Sequence, residues 1–272
     1  MRVLVTGATG TVGRPLVNQL ASAGVSVRAL TRNPVKASLP DGVEVVGGDL
    51  TDLSSLRGAL DGVDAVHLIT FDGEAGEVLP TGREIVELCV HAGVTRASVL
   101  AGWDRSALED ALDSSTLSWT RIAPKEFMAN ALEWAPLVRE EGIVRTMASW
   151  PSAVVHEADI AAVAAVALTQ DGHGGRTYLL TGPEALTAAQ RTKLIGEAIG
   201  RHVEFVELTE EQERERLRSY GYSEDYVEFG IQLAAHPPEG AAVVLPTIEQ
   251  VTGHAARTFA QWATDHAPAF RS

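Results

Sequence analysis

Three glycines spaced three residues apart stand near the start of the chain, between a predicted strand at residues 2–6 and a predicted helix at 13–23. In such a unit the first glycine allows a tight turn, the second lets backbone approach a pyrophosphate, and the third lets the helix pack closely. The helix N-terminus adds N–H groups that attract phosphate. An ordinary glycine-rich turn is the alternative, but the flanking strand and helix favour a dinucleotide-binding loop. Its predicted residues are Gly7, Ala8, Thr9, Gly10, Thr11, Val12 and Gly13.

The end of the second predicted strand, residues 25–30, indicates which dinucleotide would bind. An NAD(H) site commonly carries an acid about 20 residues beyond the glycines, where it binds the ribose 2′-hydroxyl. Here the strand is followed by Thr31, Arg32 and Asn33, with no acid among them. Arg32 could meet a 2′-phosphate and Thr31 could donate a hydroxyl, which favours NADP(H) and leaves NAD(H) as an alternative. The other interpretation of Arg32 is a solvated loop charge.

Three further predicted strands, at residues 43–46, 65–69 and 97–100, end in residues that would line the same edge of a parallel sheet. Asp49 and Leu50 follow the first of them, and Asp49 could accept a hydrogen bond from the adenine amino group or cap the next turn. Ile69 and Thr70 would line the ribose path, and Ala101 follows the third strand. These residues join the predicted cofactor site.

The alternation of strands with helices predicts an α/β fold with a doubly wound, Rossmann-type parallel sheet in residues 1–150. Predicted helices at 53–60 and 82–92 belong to this pattern. Residues 151–272 are expected to form a smaller C-terminal α+β substrate-cleft domain. Part of 151–182, with a helix at 159–168 and a strand at 177–180, would return to the Rossmann sheet.

The C-terminal part carries clear helix signals. Thr187 with Gln190, and Thr209 with Gln212, form capping boxes that open helices. Glycines at positions 200 and 221 are expected to end these helices. Residues 202–207 alternate like a half-buried strand, and a final helix is expected at 255–264.

Composition limits the protein's partners and location. The net charge is −14, and no cluster of lysine and arginine suits a phosphate backbone, which argues against nucleic acid. No apolar stretch approaches the length of a membrane span. The single cysteine, Cys89, precludes an intramolecular disulfide and indicates a reducing cytoplasm. We expect a monomer or homodimer, a small aromatic substrate and no metal site.

Several motifs together resemble the NmrA-like branch of the atypical short-chain dehydrogenases/reductases. They are Val3 to Gly10, Leu30 to Pro34, Gly48 to Leu50, Pro124 to Asn130, Ala158 to Ala161, Leu180 to Glu184 and Arg257 to Trp262. The resemblance runs over nearly the whole chain. It implies a bound NAD(P)(H), but no single reaction, because the family includes quinone reductases, natural-product tailoring enzymes and redox-sensing regulators.

The chain departs from the wider superfamily at its catalytic positions. Ordinary members use a serine at the end of strand five and a Tyr-x-x-x-Lys pair on the next helix, which donates a proton to the carbonyl. Here Ala101 occupies the serine position, and the next predicted helix, 105–112, has no tyrosine or lysine. All four tyrosines stand at position 178 or later. The catalytic residues are therefore unknown, and His67, inside a strand, is interpreted as a buried core histidine.

Four residues remain near the predicted nicotinamide. Lys125 could reach the cofactor ribose or a substrate oxygen, or it could be a solvated loop lysine. Trp103, Phe127 and Met128 are substrate candidates, although each could pack as core or domain-contact residue instead. We therefore expect an NAD(P)H-dependent oxidoreductase acting on a flat conjugated substrate, of quinone or aromatic polyketide type. The alternatives are a non-catalytic NAD(P)-sensing regulator and a natural-product tailoring oxygenase.

Overall fold

The computed structural model describes residues 1–72, 78–102, 104–147 and 149–271. The strands are β1 (Arg2–Val5), β2 (Ser26–Thr31), β3 (Glu44–Gly47), β4 (Ala65–Ile69), β5 (Arg96–Leu100), β6 (Ser118–Pro124), β7 (Ile143–Thr146), β8 (Thr177–Leu180) and β9 (Glu204–Glu207). The α-helices of the first half are α1 (Gly13–Ser22), α2 (Leu53–Leu56), α3 (Gly82–His91), α4 (Ala107–Asp113) and α5 (Ala135–Glu141). Those of the second half are α6 (Glu157–Thr169), α7 (Ala188–Ile199), α8 (Glu210–Ser219), α9 (Glu224–Ala235), α10 (Thr247–Thr252), α11 (Phe259–Asp265) and α12 (Ala267–Phe270). Short 3-10 helices cover Pro34–Lys36, Gly58–Leu60 and Met128–Trp134.

The chain divides into two compact units. Unit one comprises Met1–Pro124, Glu157–Leu180 and Thr247–His254, and unit two comprises Lys125–His156, Thr181–Pro246 and Ala255–Ser272. The division thus falls after β6, earlier than the expected boundary at residue 150. The reason is strand pairing between distant parts of the chain: β8 adds to the sheet beside β6, whereas β7 pairs with β9. Within the described ranges, no helix is long and apolar enough to span a membrane.

Unit one is built on a seven-stranded sheet in the order β3-β2-β1-β4-β5-β6-β8. Every pairing in it is parallel. The order reverses between β1 and β4, because the chain crosses to the other side of β1 after β3. The predicted doubly wound Rossmann-type sheet is confirmed, with β8 as its last strand.

The centre of this sheet is buried on both faces, because helices cover both sides of a doubly wound sheet. All five residues of β4 are buried, as are Val3, Leu4 and Val5 of β1. Helix α1 packs against α6, and α3 packs against α4. The buried face of α1 presents Leu16, Val17 and Leu20, spaced as one side of a helix requires.

Unit two has its own core around the pair β7–β9. Phe259, Trp262 and Phe270 are completely buried there, together with Met128 and Val144. Helix α7 opens with the predicted capping box of Thr187 and Gln190 and ends at Gly200 in the left-handed conformation. Helix α8 likewise opens with the box of Thr209 and Gln212.

Several elements differ from the sequence expectations, and β6, α5, β7, α10 and α12 were not among the predicted elements. The helix expected at 105–112 begins at Ala107, because Ser106 caps it in a box with Glu109. The final helix expected at 255–264 begins at Phe259, because Thr258 and Gln261 form another capping box. Helix α9 was not expected at all, and it buries only Val227 and Ile231.

Candidate dinucleotide site

The loop between β1 and α1 is shaped by its three glycines, each in a different way. Gly7 has φ +58°, the left-handed region that favours glycine. A Cβ atom on Gly13 would lie 2.0 Å from the Gly7 carbonyl oxygen, so the start of α1 is pressed against the loop backbone. A Cβ atom on Gly10 would meet that oxygen at 3.2 Å, a tight but less severe approach.

The tip of this loop is open, and α1 begins behind it. Gly10 and Thr11 are exposed, while Val12 and Gly13 are buried. The Gly10 N–H donates to the Gly7 carbonyl at 2.9 Å, which closes the turn. No side chain of the described residues caps the N-terminus of α1. An exposed glycine tip leading into an uncapped ten-residue helix is a cradle that suits a pyrophosphate.

The residues after β2 lie beside the glycine loop. The Thr9 and Thr31 hydroxyl oxygens are 3.5 Å apart, so the tip of the loop and the end of β2 are neighbours. The Asn33 N–H donates to the Thr31 hydroxyl oxygen, and Asn33 itself caps the following 3-10 turn through its side chain. Arg32 is exposed at this edge. Thr31 and Asn33 therefore shape the loop that carries Arg32.

Arg14 supports the same loop, and the sequence reasoning did not identify it. Its guanidinium donates to the carbonyl oxygens of Ser38 at 2.7 Å and Ala37 at 3.1 Å. Helix α1 is thereby tied to the segment that follows Arg32. The available signal was a long cationic side chain one residue after the third glycine, where it can reach the adjacent loop.

Asp49 follows β3 and forms a local turn. One of its carboxylate oxygens accepts from both the backbone N–H and the hydroxyl of Thr51, each at 2.8 Å. These hydrogen bonds lower the pKa of Asp49 below its ordinary value, and the positive charge of Arg32 adds a smaller effect in the same direction. The turn-capping interpretation of Asp49 therefore has direct geometric support, and the carboxylate lies within the electrostatic reach of Arg32.

The remaining predicted cofactor residues of unit one lie at the carboxyl ends of neighbouring strands. Ile69 reaches the glycine loop, since its Cδ1 would lie 3.4 Å from a Cβ on Gly7. Leu50, Thr70 and Ala101 are buried behind the same edge, as is Ala8 in the loop. Parallel pairing of β3, β2, β1, β4 and β5 brings all these residues to one edge of the sheet.

His67 is a core residue, in agreement with its interpretation from sequence. Its Nδ1 lies 2.8 Å from the Ser98 hydroxyl oxygen, and its Nε2 has no hydrogen-bond partner among the described residues. Complete burial lowers the pKa of His67 to about 4, so the ring is neutral at physiological pH. Its carbonyl oxygen accepts from the N–H and hydroxyl of Thr6, directly before the glycine loop.

The segment after β6 belongs to unit two. Lys125 and Phe127 are half-buried, whereas Met128 is completely buried in the core of that unit, as its packing alternative suggested. Glu126 accepts a hydrogen bond from Arg191, whose guanidinium also lies over the ring of Trp134. The substrate candidate Trp103 lies outside the described residues.

Helix α4 and the residues before it are where the sequence predicts the superfamily's proton relay to be missing. Helix α4 reads Ala-Leu-Glu-Asp-Ala-Leu-Asp, without tyrosine or lysine. The first hydroxyl after β5 is that of Ser106, which is buried and donates to the Glu109 carboxylate at 2.9 Å. The other oxygen of Glu109 accepts from Arg121 at 2.6 Å. This cluster stabilises the start of α4 and holds the Ser106 hydroxyl in place.

A doubly wound sheet with a glycine cradle at its switch point defines a Rossmann-type dinucleotide-binding protein. Comparison with known proteins narrows this class. The NmrA-like family matches residues 1–100. The chain is 39% identical to a (4-alkanoyl-5-oxo-2,5-dihydrofuran-3-yl)methyl phosphate reductase of Streptomyces griseus, over 98% of this chain and 99% of that protein. It is 34% identical to an NAD(P)H azoreductase of Xenophilus azovorans, over 98% and 99% of the two chains.

The fold is similar to that of a solved reductase structure. The NADPH-dependent quinone oxidoreductase of Escherichia coli, complexed with NADPH, superposes with a TM-score of 0.80 at 26% identity. The alignment covers 97% of this chain and 99% of that one. The chain belongs to the NmrA-like family of atypical short-chain dehydrogenases/reductases.

Proposed function

We propose that this protein reduces a planar conjugated acceptor, of quinone or aromatic polyketide type, with NADPH. The chain is an oxidoreductase that uses NADP(H), like its reductase relatives and the NADPH-bound quinone oxidoreductase. The nature of the acceptor is the part that we infer. It rests on the side chains that follow β5.

The cofactor would be held mainly by backbone. We assign the pyrophosphate to the loop of Gly7, Gly10 and Gly13, whose missing side chains leave the backbone approachable. Arg32 would bind the 2′-phosphate that distinguishes NADP(H), with Thr31 beside it. We place Lys125 at the nicotinamide ribose, as the sequence suggested. When bound, the nicotinamide supplies the hydride.

We infer the acceptor class from the residue that follows β5 and from the side chains of α4. A simple ketone needs a proton as it receives hydride, because an isolated alkoxide is a strong base. Positioned general acids commonly accelerate such steps by about 10²–10⁴-fold. With Ala101 in the serine position and no tyrosine or lysine on α4, this chain lacks the usual acid there. It would therefore reduce best an acceptor whose hydride adduct is already a stable anion.

The compounds in the relatives' names support this argument. A 4-alkanoyl-5-oxo-2,5-dihydrofuran has a ring double bond conjugated to two carbonyl groups, and an adduct at that bond would be a delocalised enolate. The reduced form of a quinone is likewise stable as an anion, because the product ring is aromatic. An azo compound offers a third conjugated acceptor.

The test is anaerobic NADPH oxidation with a panel of acceptors. The panel would pair a quinone and an acyl butenolide with an aliphatic ketone of similar size. We expect measurable turnover of the first two and at least about 100-fold slower turnover of the ketone, because the missing acid handicaps only the ketone. Trp103→Ala should raise KM for the quinone and leave the Kd for NADPH nearly unchanged, since we expect the indole to stack on the acceptor.

Two outcomes would overturn this proposal in different ways. Equal or faster turnover of the ketone would require an acid elsewhere in the chain. No turnover with any acceptor, while NADPH binding is demonstrated by calorimetry, would favour a sensor of the dinucleotide. Oxygen uptake coupled to substrate under aerobic conditions would instead indicate a tailoring oxygenase.

A further inference from the structure

Unit two carries a row of exposed aromatic side chains on the hairpin formed by α8 and α9. Its members, which we call the aromatic ladder, are Tyr220, Tyr222, Tyr226 and Phe229. Neighbouring ring centroids are 6.3 Å, 4.3 Å and 6.4 Å apart in that order, so the four rings form one continuous row. Each of the four residues is 40–51% exposed. Contiguous exposed aromatic surface of this kind commonly marks a binding site.

The ladder is not needed for the core of the hairpin. That core consists of Leu217, Val227 and Ile231, with Met147 packed against it. The ladder rings lie outside this cluster and keep about half of their surface in water. Tyr222 and Tyr226 are tilted by only 30° at a centroid distance of 4.3 Å, which is close to a stacked pair.

The surroundings of the ladder are acidic. Residues 210–235 contain seven acidic side chains and three arginines. Each arginine is already paired: Arg214 with Glu210 and Glu228, Arg216 with Glu213 and Glu133, and Arg218 with Glu224. The excess charge of this hairpin is therefore negative.

Two observations describe the electrostatic surroundings of the ladder. The guanidinium carbon of Arg216 lies 5.3 Å from the ring centroid of Tyr220, so one ring already binds a cation on its face. Partial burial raises the pKa of Tyr222, and the negative charge of Glu133 adds to this effect. Electron-rich ring faces and a negative field both favour a positively charged ligand.

We propose that the aromatic ladder binds planar, cationic, conjugated molecules by stacking and cation–π attraction. As a binding site for planar cations, the ladder does not depend on the proposed reductase function. Charge complementarity argues against a second copy as occupant. A symmetric contact would place two identical acidic hairpins face to face, with like charges opposed.

Binding can be tested without turnover by equilibrium dialysis of the full chain with methylene blue, a planar cation, in the absence of NADPH. Naphthalene-2-sulfonate, a planar aromatic anion that is not a quinone, is the matched control ligand. We expect methylene blue to bind more tightly than the anion at low salt, and the difference to shrink as salt screens the charges. Equal affinity for the two dyes would overturn the charge argument.

Matched variants assign the binding to the ladder. Tyr226→Leu should weaken methylene blue binding about two- to five-fold, the usual range for a surface cation–π contact, and Tyr226→Phe should retain it. Glu215→Gln should weaken binding more than Glu204→Gln, because both remove one exposed charge but only Glu215 is on the hairpin. Unchanged binding in the Tyr222→Leu, Tyr226→Leu double variant would overturn the proposal.

Two further measurements distinguish the ladder as a small-molecule site from a dimer interface and from the reductase activity. Light scattering of the wild type and the double variant tests the second copy: a dimer that the double variant abolishes would overturn the small-molecule site. NADPH oxidation with a neutral quinone tests the proposed function independently. Quinone turnover without ladder-dependent dye binding would contradict this inference and leave the proposed function intact. Ladder-dependent dye binding without any turnover would contradict the proposed function and leave this inference intact.

Discussion

The glycine loop of unit one and the α8–α9 hairpin of unit two are built by opposite means. The loop depends on backbone: Gly7 has a positive φ, and the Gly13 backbone lies so close to the Gly7 carbonyl that no side chain fits. The hairpin depends on side chains, with four exposed aromatic rings and paired arginines around a core of three buried residues. Backbone geometry tolerates few substitutions, whereas an exposed side chain can change without loss of the fold. We infer that the glycine loop tolerates few substitutions, whereas the exposed rings of the hairpin can be replaced without loss of the fold.

The largest effect should come from Gly13→Ala. The new methyl group would stand 2.0 Å from the Gly7 carbonyl oxygen, so either the loop or α1 must move. We expect NADPH binding to fall at least about 100-fold, and stability to fall by about 1–3 kcal/mol, the usual cost of overpacking. Calorimetry and urea unfolding measure the two effects.

Gly58→Ala is the control for this change. A Cβ on Gly58 would meet nothing within 4 Å, and its φ is not positive. It should leave both NADPH binding and stability nearly unchanged. Normal NADPH affinity in the Gly13 variant would mean that the loop does not hold the cofactor, and the contrast between the two regions would fail.

Arg32→Ala should have the next largest effect, confined to discrimination between cofactors. A charge-assisted hydrogen bond contributes about 1.5–3 kcal/mol, which corresponds to about 10- to 150-fold in affinity. We expect the Kd for NADPH to rise by such a factor and the Kd for NADH to change little. Arg57→Ala, an exposed arginine beyond α2, is the control. Equal affinities of the wild type for NADPH and NADH would refute this role.

The smallest effect is a pH dependence of stability, which follows from the burial of His67 in the sheet. Its pKa is about 4 in the folded protein, against an ordinary value of 6.5. The unfolded chain therefore binds an extra proton below pH 6.5, and stability falls as the pH decreases from about 6.5 toward 4. His67 should lower the free energy of unfolding by about 1–2 kcal/mol when the pH falls from 7.5 to 5.

Urea unfolding of the wild type and His67→Leu at both pH values isolates this contribution, since other titrating groups cancel in the difference. The variant should lose part of the pH dependence. His91→Gln, which alters an exposed histidine, should keep it. An identical pH dependence in wild type and His67→Leu would show that His67 is not the buried titrating group.

The same contrast explains what could be predicted from the sequence. The strand Ala65–Ile69 and the capping box of Thr187 and Gln190 follow from local signals, and both were predicted correctly. Helix α9 was not predicted, although Ser223 caps its start and Val227 and Ile231 share one face. The close ring spacing of the aromatic ladder depends on the tertiary packing of α8 against α9, which no local pattern encodes.

The residues of the candidate cofactor site divide in a similar way. Residues at strand ends, such as Thr31 and Ile69, follow from parallel pairing alone, because all carboxyl ends meet at one edge. Arg14 was missed because its partners, the carbonyl oxygens of Ser38 and Ala37, lie more than twenty residues away in sequence. The division of the chain after Pro124 depends on long-range pairing of β7 with β9, which also could not be predicted.

The central claim is that the acceptor is reduced without a proton donated by the protein in the same step. Single-turnover reduction of a quinone, with NADPH deuterated at the transferred position and separately in D₂O, tests this most directly. We predict a primary isotope effect from the deuterated NADPH and a solvent isotope effect close to unity, because hydride moves alone. A large solvent isotope effect on the same step would show that a proton moves with the hydride, and would contradict the account.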